Sequence, residues 1–117
     1  MRFLCVYRPG TPERLTPPTA EEQATMAKLI GDMAKAGVLL AVEGCRPSGY
    51  GAKVRLEADG QYSVVDGPFP ETKELIAGLC MLQVKTKEEA LEWTKRFLSI
   101  VKDGYSEIRQ LQDMPAA

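Results

Sequence analysis

The chain has 117 residues, 44% of them hydrophobic and 26% charged, with a formal net charge of -1. That size allows one domain, and that charge gives no electrostatic case for nucleic acid or an anionic membrane. Histidine is absent, which removes the commonest metal ligand and the side chain most used for proton transfer near neutral pH. No apolar run approaches the roughly 20 residues needed to span a bilayer. The run after Arg2 ends at Tyr7, too short for the core of a signal peptide, so a cytoplasmic location is expected.

Arg2 to Tyr7 is a β-branched and aromatic run stopped by Arg8-Pro9-Gly10, and predicts a strand. Four prolines and a glycine between Arg8 and Pro18 predict a loop. Thr19 with Glu22 has capping-box spacing; Ala27, Ile30, Met33 and Ala34 recur at helical spacing, Met26 and Leu29 broaden the stripe, and Gly37 suits the C-cap. Val38 to Cys45 predicts a second strand, broken in its apolar character only by Glu43. After a Pro47–Gly51 turn, Lys53 to Glu57 alternates polar with apolar. Asp59-Gly60 suits a hairpin turn, and Gln61 to Val65 returns as the partner strand, giving a hairpin with one wet face.

Leu75 to Val84 is the most apolar segment and predicts a long strand, in which Gly78 marks a bulge or a close backbone approach. Thr86 and Glu89 repeat the capping box. Ala90, Thr94, Phe97, Leu98 and Val101 form the stripe of a second helix, with Trp93 on the flank and Gly104 past its end. Tyr105 to Leu111 alternates as a last strand. Residues 1–112 make one domain and 113–117 a frayed tail. Cys5, Cys45 and Cys80 lie in apolar strand-like runs, form no CxxC pair, and are expected to act as small buried hydrophobes.

The order β, α, β, hairpin, β, α, β predicts an α+β fold. It is a ferredoxin-like split βαβ with an inserted β-hairpin, its antiparallel sheet carrying both helices on one face. In the first strand Leu4 and Val6 point one way, and Phe3, Cys5 and Tyr7 the other. In the run 75–84, Leu75, Ala77, Leu79 and Met81 are expected on one side and Ile76, Cys80 and Leu82 on the other. Two helices cover one face of a sheet that is apolar on both, and an exposed patch of that size is unusual on a monomer. A homodimer with facing sheets is therefore expected.

Between hairpin and long strand lies Asp66-Gly67-Pro68-Phe69-Pro70-Glu71-Thr72-Lys73-Glu74. Gly67 admits backbone angles closed to other residues, and Pro68 and Pro70 each fix φ and remove a donor. A stiff loop is predicted, holding Asp66, Phe69, Thr72 and Lys73 in place. Loops on rigid scaffolds often carry function; the plainer alternative is a proline-rich turn.

Asp66 to Phe69, continuing through Glu71-Thr72-Lys73-Glu74-Leu75-Ile76-Ala77-Gly78, resembles the signature of the YciI-related, or DGPF-domain, family. Ala36-Gly37-Val38-Leu39 leading to Glu43-Gly44, Lys53-Val54-Arg55, Glu88 to Trp93 and Glu107-Ile108-Arg109-Gln110 extend the likeness over nearly the whole chain. The resemblance implies a dimeric α/β barrel of ferredoxin-like protomers. It implies little about reaction: some relatives are thought to be enzymes, and some occur with extracytoplasmic-function sigma factors. Pro70 stands where an alanine is common. Some relatives carry a histidine thought to pair with the loop aspartate, which this chain lacks; Arg46 lies where a histidine can occur.

Asp66 is the candidate for proton transfer, because desolvation in a barrel interior raises a carboxyl pKa toward a useful range. Its alternative is an Asx-type turn capping local amides. Tyr7 could line the same cavity or fill the dimer interface. Arg8 and Arg109, with Lys73, offer charge to an anionic ligand or are solvated surface. Glu43 is either paired with a base or placed at a cleft. Asp66, Glu71 and Glu74 lack EF-hand-like spacing, and no metal or cofactor is expected. No phosphate-binding glycine loop or GxSxG elbow is present. Two readings stand: a lyase- or isomerase-type enzyme acting on a small metabolite, with Asp66 moving a proton, and a non-catalytic ligand-sensing or regulatory module.

Overall fold

The computed structural model describes residues 1–10 and 13–113, so Met114 to Ala117, most of the predicted tail, lie outside it. Eight elements follow in order: β1 (Arg2–Arg8), α1 (Ala20–Lys35), β2 (Leu39–Gly44), β3 (Ala52–Leu56), β4 (Tyr62–Asp66), β5 (Gly78–Gln83), α2 (Lys87–Val101) and β6 (Tyr105–Gln110). Short 3₁₀ turns occupy Ser48–Tyr50 and Thr72–Glu74. One antiparallel sheet has the order β2-β5-β1-β6, and β3 pairs with β4 as a separate hairpin. The fold is α+β and ferredoxin-like, as the element order predicts.

Both helices start at the predicted threonines. The Thr19 and Thr86 hydroxyls accept the N–H groups of Glu22 and Glu89, each at 3.1 Å. The return half of each capping box is redirected. Glu22 takes the Thr19 hydroxyl and the Arg14 guanidinium, and Glu89 takes the Lys85 N–H. At the far end of α2, Lys102 turns left-handed at φ 58° and its N–H reaches the Leu98 carbonyl at 2.8 Å.

Strand register sorts the sheet into two faces. Phe3 pairs with Leu82 and Cys5 with Cys80 on the helix side, while Leu4 pairs with Met81 and Val6 with Leu79 on the other. Phe3, Cys5, Leu29, Met33, Val38, Leu82, Val84 and Ala90 form the core. The buried stripe of α1 is rotated from the predicted one. Leu29 and Met33 are buried and Met26 and Ile30 half-buried, but Ala27 and Ala34 are exposed. The long side chains reach the sheet and the alanines cannot.

Three further expectations are corrected. β5 begins at Gly78, not Leu75, because the Arg8 guanidinium takes the Lys73 and Leu75 carbonyls and holds that stretch in a turn. Cys45 is exposed, since β2 has ended at Gly44. The hairpin is wet on both faces. Val54 and Val64, and Leu56 and Tyr62, pair across one face yet stay 62–73% exposed. The hairpin projects from the body, so the radius of gyration is 16.3 Å against about 13 Å for a compact domain of this length. Among the described residues, no helix is long and apolar enough to cross a membrane.

Candidate functional site

Between the helices and the sheet lies a half-open cavity of about 440 Å³. Its floor is made by Cys5 and Tyr7 of β1 and Gly78, Leu79 and Cys80 of β5. Met26, Leu29, Ile30 and Met33 line it from α1, and Trp93, Thr94, Phe97 and Val101 from α2. Val42, Glu43 and Gly44 of β2 also border it; Val42, paired with Cys80, turns its exposed side chain to this side of the sheet, while Glu43, paired with Leu79, contributes backbone. The space exists because small groups sit where large ones would close it. Gly78 has no side chain, and a Cβ there would come within 3.2 Å of the Glu43 carbonyl oxygen. The predicted close backbone approach at Gly78 is that contact.

The aromatic wall is ordered. The Tyr7 ring meets Phe97 edge-on at 5.1 Å and 78°, a favourable quadrupolar arrangement. The Tyr7 hydroxyl donates to the Asp103 carbonyl at 2.9 Å. Burial, with the Asp103 charge second, pushes the Tyr7 hydroxyl above its ordinary pKa, so it stays a neutral donor. The Thr94 hydroxyl donates to the Ala90 carbonyl at 2.8 Å and lies 4.0 Å from Cys5 Sγ. Cys5 and Cys80 face each other across the strand pair; that closeness lowers the Cys5 thiol and raises that of Cys80.

Of the residues singled out from the sequence, Tyr7 lines this cavity with its side chain and Glu43 borders it through its backbone, while Asp66, Arg8, Phe69, Lys73 and Arg109 do not line it. Glu43 forms no ion pair with a lysine or arginine among the described residues, and its pairing with Leu79 turns its side chain to the sheet face away from the cavity. Arg8 is occupied by the Lys73 and Leu75 carbonyls and lies 3.9 Å from Glu107. Arg109 donates to Glu107 at 2.6 Å. Lys73 is exposed, and the side chain of Thr72 lies outside what is described.

Asp66 closes β4 opposite Ala52, and its carboxylate is exposed. Among the described residues, no local amide donates to it. The loop is braced from elsewhere. Phe69 N–H donates to Ser48 Oγ at 3.0 Å, and the Gly67–Pro68 bond is cis. The Lys53 ammonium lies 4.6 Å from the Phe69 ring centre and 2.5 Å from the Glu74 carboxylate.

Sequence reasoning missed the helix-side cavity because its lining reads as ordinary core. Met26, Leu29, Phe97 and Trp93 are what any buried stripe would show. The available signal was small residues on both sides, Ala77 and Gly78 facing those stripes and Thr94 within the stripe of α2.

Fold and site together define a split βαβ domain with a projecting hairpin and an apolar chamber beneath its helices. Residues 1–115 match the YCII-related domain, and the chain belongs to that family. No curated protein matches it. Among solved structures it is similar to the 5-chloro-2-hydroxyhydroquinone dehydrochlorinase TftG of Burkholderia phenoliruptrix, determined in complex with 2,5-dihydroxybenzoquinone. That similarity has 9% identity and a TM-score of 0.46, and covers 96% of this chain and 94% of the other.

Proposed function

We propose that the protein binds a small, largely apolar metabolite, of the size and flatness of a single aromatic ring system, in the cavity under its helices. The observation that carries this reading is the lining itself. Tyr7, Trp93 and Phe97 offer ring faces and edges, and Cys5, Met33 and Val42 add apolar surface. Ligand sites are commonly apolar concavities with few polar groups; those here include the Tyr7 and Thr94 hydroxyls. An anionic ligand gains no support from Arg8 or Arg109, whose donors are directed to backbone carbonyls and Glu107.

The binding unit in this reading is a homodimer. The sheet face bearing Leu4, Val6, Leu79 and Met81 has no helix over it, and the hairpin's apolar face is bare. A second copy supplies cover for both. A lyase- or isomerase-type role for Asp66 draws support from the bracing of its loop by Ser48 and Lys53. It requires the second copy to enclose that exposed carboxylate.

The test is an NMR titration with indole as probe. Amide shifts are expected at Tyr7, Val42, Trp93 and Phe97 and not at Leu4 or Val6, and Val42→Trp at the mouth should weaken the response about tenfold. Shifts confined to the open sheet face, or none at millimolar indole, would overturn the reading.

A further inference from the structure

Cys5 and Cys80 occupy directly opposed positions on adjacent central strands, and both side chains project into the cavity floor. Met1 and Val84 exchange both backbone hydrogen bonds, at 2.8 and 2.9 Å. Because bonded and non-bonded pairs alternate along an antiparallel ladder, Phe3–Leu82 and Cys5–Cys80 are bonded pairs too, with Cα atoms about 5.5 Å apart. That spacing lies inside the range a disulfide spans, roughly 4.4–6.8 Å. Cys45, the third cysteine, is exposed and outside the cavity lining.

We propose that Cys5 and Cys80 are a reversible dithiol–disulfide pair in the floor of the cavity, oxidised there by a small peroxide that enters through the mouth. The inference stands on strand register and cavity position, and does not depend on which ligand the cavity takes. Cys5 is the attacking sulfur. The closeness of Cys80, with the Thr94 hydroxyl 4.0 Å away, favours its thiolate, while the closeness of Cys5 and burial keep the Cys80 proton in place. The thiolate attacks the distal oxygen of the peroxide, the O–O bond breaks, and the leaving alkoxide or hydroxide takes a proton from water. Cys5 is then a sulfenic acid. Cys80 sulfur attacks it, the S–S bond forms, the S–O bond breaks, and the Cys80 proton leaves with the hydroxyl as water. Two thiols have lost two electrons and the peroxide has gained them. The bridge would staple β1 to β5 directly under the aromatic wall, exchanging two thiol donors for a surface with none.

The experiment uses the full chain carrying Cys45→Ser, in which only Cys5 and Cys80 remain. After brief treatment with equimolar hydrogen peroxide at neutral pH, intact mass is read under denaturing, non-reducing conditions. The expected product is a single chain lighter by about 2 Da, restored by dithiothreitol. Adding Cys80→Ala should divert the reaction to a gain of about 16 or 32 Da on Cys5, the sulfenic or sulfinic acid. Three results would overturn the proposal: oxygen gain without hydrogen loss in the Cys45→Ser chain, a two-chain disulfide species, or unchanged mass at peroxide levels that oxidise Cys45 in the wild type.

Discussion

The Glu13 carboxylate holds Ser48 twice, taking its backbone N–H at 2.7 Å and its hydroxyl at 2.8 Å. The same hydroxyl accepts the Phe69 N–H at 3.0 Å. One serine thus joins the proline-rich segment after β1, the turn after β2 and the Asp66–Glu74 loop, three stretches remote in sequence. Ser48→Ala removes two of these bonds and leaves a half-buried carboxylate and an amide short of partners. The expected cost is on the order of 1–2 kcal/mol. Urea denaturation measures it, and hydrogen exchange at the Phe69 amide should speed up. Unchanged protection there would show that the serine does not brace the loop.

Gly67 owes its place to space. A Cβ at this position would lie 1.7 Å from the Ser48 carbonyl oxygen and 2.6 Å from its carbon, both backbone atoms. Its φ is not among the positive ones, so the backbone freedom inferred from the sequence is not the reason. Gly67→Ala must push the two loops apart and should destabilise by about 1–3 kcal/mol, the ordinary cost of forced overpacking. A melting temperature equal to wild type would contradict this.

Thr86 supplies the side-chain cap of α2, the helix that carries Trp93, Thr94 and Phe97 into the cavity. Thr86→Ala should cost about 1 kcal/mol and Thr86→Ser far less, since the serine hydroxyl reaches the same N–H. Equal losses in the two variants by chemical denaturation would mean that the methyl, not the cap, matters.

Asp32 ties α1 to α2 through the Arg96 guanidinium, with Lys28 as a second partner 3.2 Å away. Arg96, and then Lys28, hold its carboxyl below the usual carboxylate range. A carboxyl lowered in the folded state stabilises above its unfolded pKa and loses that contribution as pH falls through the folded one. The wild-type advantage over Asp32→Asn should therefore be full at neutral pH and shrink below about pH 4. Urea midpoints across pH 2–7 test the sign; an advantage that grows in acid would reverse it.

If a second copy covers the bare apolar surfaces, the protein should sediment at about twice its 12.9 kDa at micromolar concentration. Val64 is 62% exposed, so Val64→Arg leaves the single chain intact while placing a charge on the hairpin's apolar face. It should shift the equilibrium toward one subunit by tenfold or more, as burying an unpaired charge demands. A wild type that remains a single subunit would remove the homodimer from the proposed function.

Much of the architecture is written locally. Thr19 and Thr86 start helices because their hydroxyls meet N–H groups three residues away, and alternation in Arg2 to Tyr7 sorts Cys5 from Leu4 across the sheet. Short-range physics of this kind survives in a linear reading, so element order, helix caps and the two-faced sheet were all legible. What tertiary structure decided is where long-range surfaces meet. It rolled α1 onto Leu29 and Met33, cut β5 short through Arg8, set Gly67 against Ser48, and opened a chamber between stripes that look like plain core. It also put Cys5 opposite Cys80, 75 residues away in sequence. Each depends on which partner a side chain finds across the fold, and such partners are chosen by packing between elements, which no local pattern of residues encodes.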